Sequence, residues 1–177
     1  MVLGMTGDEI CLLTAHEVWA EQYALEKARI IEAIGAYVLD IQHVGSTSIS
    51  SVPAKPIIDI LIGVEDFEGA SVCIVPMEGI GYVYRGEYGI PHRHYFVKGD
   101  PRTHHVHMVE KDSENWRITV LFRDLLRSHP DVAREYAEAK VRLAEQYRED
   151  RASYQRAKDK VVEGILDKAP KNSLEAT

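Results

Sequence analysis

From Thr14 to Ile34 the apolar residues Trp19, Tyr23, Ile30, Ile31 and Ile34 recur at helical spacing between charges, which predicts an amphipathic helix with Gly35 as its stop. The period then shortens. Tyr37 to Val44 (YVLDIQHV) reads as a strand, and Ile57 to Val64 (IIDILIGV), rich in β-branched residues, as the strongest strand of the chain. Between them Gly45 to Ser51 (GSTSISS) suits a tight turn opening into a short helix. Pro53-Ala54-Lys55-Pro56 is a rigid connection, because each proline fixes φ and restrains the residue before it. A helix or loop is expected around Val72 to Ile80, and strands at His94 to Val97 and Val106 to Val109, separated by Gly99-Asp100-Pro101.

After Glu110 the character changes to helix. Trp116 to Arg127 is one helix, and Ser128-His129-Pro130-Asp131 has the spacing of a capping box opening the next. In that next helix Val132, Tyr136, Leu143 and Tyr147 make one face, and a final helix carries Tyr154, Val161 and Ile165. The aromatic residues Trp19, Tyr23, Tyr136, Tyr147 and Tyr154 are expected in the core. The pattern predicts an α+β architecture: a mixed sheet with flanking helices, then a helical C-terminal third packed on it. With no flexible linker before the helices, residues 1–177 read as one domain with a core over about 17–168.

Composition narrows the function classes. No apolar run approaches the roughly 18 residues of a membrane span. Met1 to Cys11 carries Asp8 and Glu9 and no Lys or Arg, the wrong charge for a signal peptide. Two cysteines, Cys11 and Cys73, cannot build a disulfide framework, and a cytoplasmic setting is the expectation. The net charge of −7 argues against broad nucleic-acid binding and leaves room for a local basic pocket. From Asp131 to Lys168 nine basic and nine acidic residues read as a solvated, salt-bridged helical face.

Three features carry candidate chemistry. Gly45 lets an anion approach the backbone, and Ser46 with the following amides would donate hydrogen bonds to it; the alternative is an ordinary serine-capped turn. Asp59 lies among Ile57, Ile58, Ile60, Leu61 and Ile62, where a carboxylate is costly unless paired or bound to a cation. Strand alternation places Ile57, Asp59 and Leu61 on one face. Finally, His92, His94, His104, His105 and His107 fall within sixteen residues.

A Gly-Ser turn followed after twelve residues by an aspartate in an apolar strand resembles the signature of the nucleotidyltransferase superfamily. The strings HVGSTS, AKPIIDILIGV, GIPHRHYFVKGDPRTHHVHMVE, LFRDLLRSHPDVAREY and YQRAKDK, in this order, resemble the GrpB (UPF0157-type) family from about Trp19 to Leu166. The resemblance implies a nucleotidyltransferase-like core. It implies Gly45 and Ser46 as binders of a nucleoside triphosphate, and Asp59 as a catalytic, metal-binding carboxylate for Mg²⁺ or Mn²⁺ that orients an acceptor for attack on the α-phosphate. The superfamily places a second acid two residues after the first, where this chain has Leu61.

His105 and His107, two apart on one strand face, offer a substitute: with Asp59 they would suit Zn²⁺ or Mn²⁺ better than Mg²⁺. The alternative is a metal-free, hydrogen-bonded polar groove. Glu110 is the nearest acid to that strand's end. Lys55, Arg93 and Arg123 are candidate phosphate contacts. His92, His94, Lys98 and Arg102 add positive or ionisable groups nearby, and His43 either orients a substrate or ends a strand. Three functions follow: metal-dependent nucleotidyl transfer to an unassigned acceptor, an inactive nucleotide- or phosphate-binding module, or a folding or interaction domain with a protein partner. The last is suggested by related domains fused to dephospho-CoA kinase.

Overall fold

The computed structural model describes residues 3–4 and 10–168. Five strands, β1 (Asp40–Val44), β2 (Ile58–Val64), β3 (Tyr82–Tyr84), β4 (Arg93–Lys98) and β5 (His104–Glu110), form one mixed sheet in the order β1-β2-β5-β4-β3. β2 and β5 are parallel neighbours at its centre, and every other pairing is antiparallel.

The two faces of the sheet are used differently. Ile58, Ile60, Ile62, Val106, Met108 and Phe96 point to one side, where helices α1 (His16–Ile34) and α2 (Ile74–Gly79) cover them. Trp19, Ile30 and Ile34 of α1 are buried at the predicted helical spacing, and each such side chain contributes about 1.5–3 kcal/mol on burial. On the opposite side, Trp116 and Val120 of α3 (Glu114–Ser128) pack on Val44, Leu61 and Val109. Helices α4 (Pro130–Gln146) and α5 (Arg151–Leu166) are anchored farther out. Tyr136, Ala133 and Ile165 meet Ile49 and Val52, the segment just past the Gly-Ser turn, together with Leu125 and Leu126 of α3. This anchoring hangs the C-terminal helices over the part of the sheet that α3 leaves uncovered.

Several expectations need correction. β1 begins at Asp40 and not at Tyr37, because Gly35–Tyr37 forms a 3₁₀ turn and the ladder to β2 starts opposite Gly63. Gly35 keeps right-handed backbone (φ −54°), so it ends α1 without a left-handed cap. There is no capping box at 128–131. α3 runs through Ser128, whose hydroxyl donates to the Asp124 carbonyl oxygen (2.7 Å), and α4 starts after His129 with Pro130 and no side-chain cap. On α4 the buried residues are Ala133, Tyr136 and Lys140, while Val132, Leu143 and Tyr147 are half-buried. A lysine therefore occupies what should be an apolar position.

Candidate metal and anion cleft

The parallel register of β2 and β5 pairs Asp59 with His105 and Leu61 with His107. Because alternate residues share a face, all four side chains project to the side that α3 covers only in part. Nδ1 of His105 is 3.0 Å from Oδ1 of Asp59, and Nε2 of His107 is 3.9 Å from the same oxygen. One ligand atom from each of the three residues lies within 4.8 Å of the others. Burial would raise the Asp59 carboxyl, but hydrogen bonds and charge from the two imidazoles hold it well below the usual carboxylate range. Burial lowers His107 against the pull of Asp59, which favours the neutral ring. Nε2 of His105 is buried with no partner among the described residues. One anionic oxygen and two imidazoles, one with an unused nitrogen, fit a divalent transition metal.

Gly45 stands against the carboxylate. Its φ of +67° is in the left-handed region, and a β-carbon there would lie 2.5 Å from Oδ2 of Asp59. The helix expected after it is a single 3₁₀ turn, Ser46–Ser48, tied back by the Ser48 amide and hydroxyl, both donating to the Gly45 carbonyl oxygen (3.1 and 2.7 Å).

Triad and turn open into a cleft of about 810 Å³. Its charged lining is lopsided: Lys55, Arg93, Arg102, Lys140, Arg151 and Lys158 face a single carboxylate, Asp59. In a chain of net charge −7 this is a concentrated positive field. Burial, and then the charge of Lys158, pushes Lys140 down to about 7, and the same two causes push Lys55 down to about 8.

The cleft collects most of the predicted site residues. Gly45, Ser46, Lys55, Asp59, Arg93, His105 and His107 all line it. Arg93 is buried with its donors engaged: it gives hydrogen bonds to the carbonyl oxygens of Glu87 (3.1 Å) and Tyr88 (3.0 Å), and its other terminal nitrogen lies 3.1 Å from Nδ1 of His107. It braces the 87–88 loop against the triad.

Arg123 lies elsewhere. It pairs with Asp124 (2.7 Å) and donates to Gln42 (2.8 Å) and the His43 carbonyl oxygen (3.3 Å), pinning α3 to β1. Glu110 sits at an even position of β5, on the face opposite the histidine pair, and accepts from the Phe67 amide (3.1 Å). Lys98 pairs with Glu26 (2.6 Å), and His94 bonds Tyr84 and the Phe67 carbonyl oxygen, again on the far face. His43 turns the same way, stacks on Tyr23 and is pushed down to about 4 by burial.

Lys140, Arg151, Tyr154 and Lys158 are the cleft residues that sequence reasoning missed. The balanced charge of the C-terminal third concealed them. A signal was present: Arg151, Tyr154, Gln155 and Lys158 stand at i, i+3, i+4 and i+7, one face of α5.

Comparison with known proteins agrees with this architecture. The chain is 42% identical over 159 residues to the UPF0157 protein YqkA of Bacillus subtilis, covering 89% of this chain and 46% of that protein. It thus spans about half the length of that relative. It is 36% identical to the glutamate-rich protein GrpB of Alkalihalophilus pseudofirmus, over 94% of this chain and 99% of that one. The crystal structure of conserved protein GrpB from Enterococcus faecalis superposes with a TM-score of 0.80 at 32% identity, over 89% of this chain and 98% of that one. With the family model described as GrpB protein matching residues 9–168, the chain belongs to the GrpB family.

Proposed function

We propose that the cleft binds a nucleoside triphosphate beside a divalent transition metal and transfers its nucleotidyl group to an acceptor. The observation that carries this reading is the Asp59–His105–His107 cluster on the floor of a cleft whose other charged side chains are all cationic. Asp59, His105 and His107 would hold the ion, which when bound neutralises charge at phosphate oxygens. Gly45 keeps the turn beside Asp59 free of a side chain, so that the turn and the Ser46 hydroxyl meet a phosphate. Lys55 faces the same anion, and Arg93 keeps His107 oriented. In the transfer an acceptor oxygen bonds the α-phosphorus, the bond from that phosphorus to the β-phosphate oxygen breaks, and pyrophosphate leaves. The free cysteines, exposed Cys11 and buried Cys73, suit a reducing cytoplasmic setting.

Leu61 favours a second reading, binding without turnover. It stands where the superfamily pattern has an acid, is 1% exposed, and packs on Val44, Val109, Trp116 and Val120. The test is pyrophosphate release from ATP, GTP, CTP and UTP by protein loaded in turn with Mn²⁺, Zn²⁺ and Mg²⁺. Release that Asp59→Asn abolishes supports transfer. Saturable nucleotide binding with no release under any metal supports the second reading instead.

A further inference from the structure

Among the described residues, the cations held against the rest of the fold have acid partners, whereas the most deeply buried lysine of the cleft has none. Lys98 has Glu26 and Arg123 has Asp124. Lys140 is more deeply buried than either, 3% exposed, yet among the described residues it donates only to the Pro53 carbonyl oxygen (2.6 Å), and its ammonium lies 5.4 Å from the Tyr136 ring centre. Lys55 sits 4.9 Å from the centre of the Tyr154 ring, with no carboxylate partner among the described residues. Lys158, itself 3.7 Å from Asp159, bears on both: its charge depresses each of the two ammoniums, and Asp59 offsets this only in part. Arg151 adds to the charge felt by Lys55. The Tyr154 hydroxyl, in the same lining, is buried with no partner among the described residues.

Burying an ammonium without a counter-charge is costly, and crowding several together adds repulsion. The arrangement is stable when a ligand brings the missing negative charge. These cations come from three separate elements, the 53–56 connection, α4 and α5, so the charge they answer is extended.

We propose that Lys55, Lys140, Arg151 and Lys158 form a receptor for an oligophosphate, an anion of two or more linked phosphate groups, which it engages without any metal. This rests on the cleft being the ligand site of the reading above, but it requires neither an ion at Asp59 nor turnover. The same chemistry belongs to a nucleotide's phosphate tail and to free inorganic oligophosphate.

The experiment is calorimetric titration of the full chain in EDTA with inorganic tripolyphosphate, orthophosphate, ATP and AMP. Tripolyphosphate is expected to bind at least about tenfold more tightly than orthophosphate, and Arg151→Gln/Lys158→Gln to weaken it by about tenfold or more. Both substitutions are on half-buried positions of α5, and circular dichroism checks that the fold is retained. Lys140→Arg, keeping the charge, should bind better than Lys140→Met. ATP binding like tripolyphosphate with AMP silent identifies a nucleotide tail as ligand, whereas tripolyphosphate binding with ATP silent identifies the free anion. Tripolyphosphate binding no tighter than orthophosphate, or binding unchanged in the double variant, overturns the receptor. Failure of the transferase reading looks different: tripolyphosphate still binds in EDTA and in Asp59→Asn, while no metal supports pyrophosphate release.

Discussion

The α-carbon of Gly45 is so close to Asp59 that a β-carbon built on it would lie 2.5 Å from the carboxylate oxygen Oδ2. The Gly-Ser turn and the triad are therefore one structural unit, and the absence of a side chain at 45 sets where the carboxylate stands.

Gly45→Ala should move Asp59 and lower affinity for Mn²⁺ or Zn²⁺ by at least about tenfold, as disturbance of ligand orientation commonly does. Gly86→Ala is the matched control, since Gly86 shares the φ of +67° but meets nothing within 4 Å. Both substitutions should cost about 1–2 kcal/mol in backbone strain. Only the first should change metal titrations. Equal metal affinity in the two variants would show that Gly45 serves the turn alone.

Leu61→Asp supplies the carboxylate that the superfamily pattern has there. The side chain it replaces is 1% exposed in a cluster with Val44, Val109, Trp116 and Val120. Loss of packing and desolvation of a charge predict a destabilisation of about 3 kcal/mol or more in urea unfolding. Added Mg²⁺ should recover part of that loss if the new acid joins Asp59 at one ion. A variant as stable as the parent chain would contradict the packing role given to Leu61.

Lys140 makes stability depend on pH. Its folded value of about 7 lies below the ordinary 10.5, so between those limits the unfolded chain holds a proton that the folded chain has lost. The unfolding free energy contributed by this residue therefore rises with pH across that window, by on the order of 5 kcal/mol in all, and is least below pH 7. Lys55 and Lys158 push in the same direction and Asp59 opposes them. Denaturation series at pH 6, 8 and 9.5 should show a steeper rise in the parent chain than in Lys140→Met. Matching slopes would mean that Lys140 stays charged in the fold.

Arg93 joins the 87–88 loop to His107 through four hydrogen-bonding contacts of 3.0–3.3 Å. Arg93→Lys keeps the charge and loses the planar fork, so the loop should become easier to cleave by limited proteolysis near Tyr88 and metal affinity should fall. Unchanged cleavage together with unchanged metal affinity would remove the bracing role.

The elements that sequence alone determined are those with one dominant period. Trp19, Ile30 and Ile34 specify α1, and the run around Ile58, Ile60 and Ile62 specifies β2, because a face that must be buried leaves little freedom in period or register. Alternation within strands likewise put Asp59 on one face and the His105–His107 pair on another strand's single face. That these two faces coincide was decided by the parallel pairing of β2 with β5, a contact between residues 46 positions apart that no local pattern encodes. Arg123, named as a candidate phosphate contact, and Lys140, which the sequence did not single out, differ for the same reason. Their local sequences do not tell which basic residue meets a carboxylate and which lines the cleft; the packing of α3 on β1, and of α4 on the segment after the Gly-Ser turn, makes that choice.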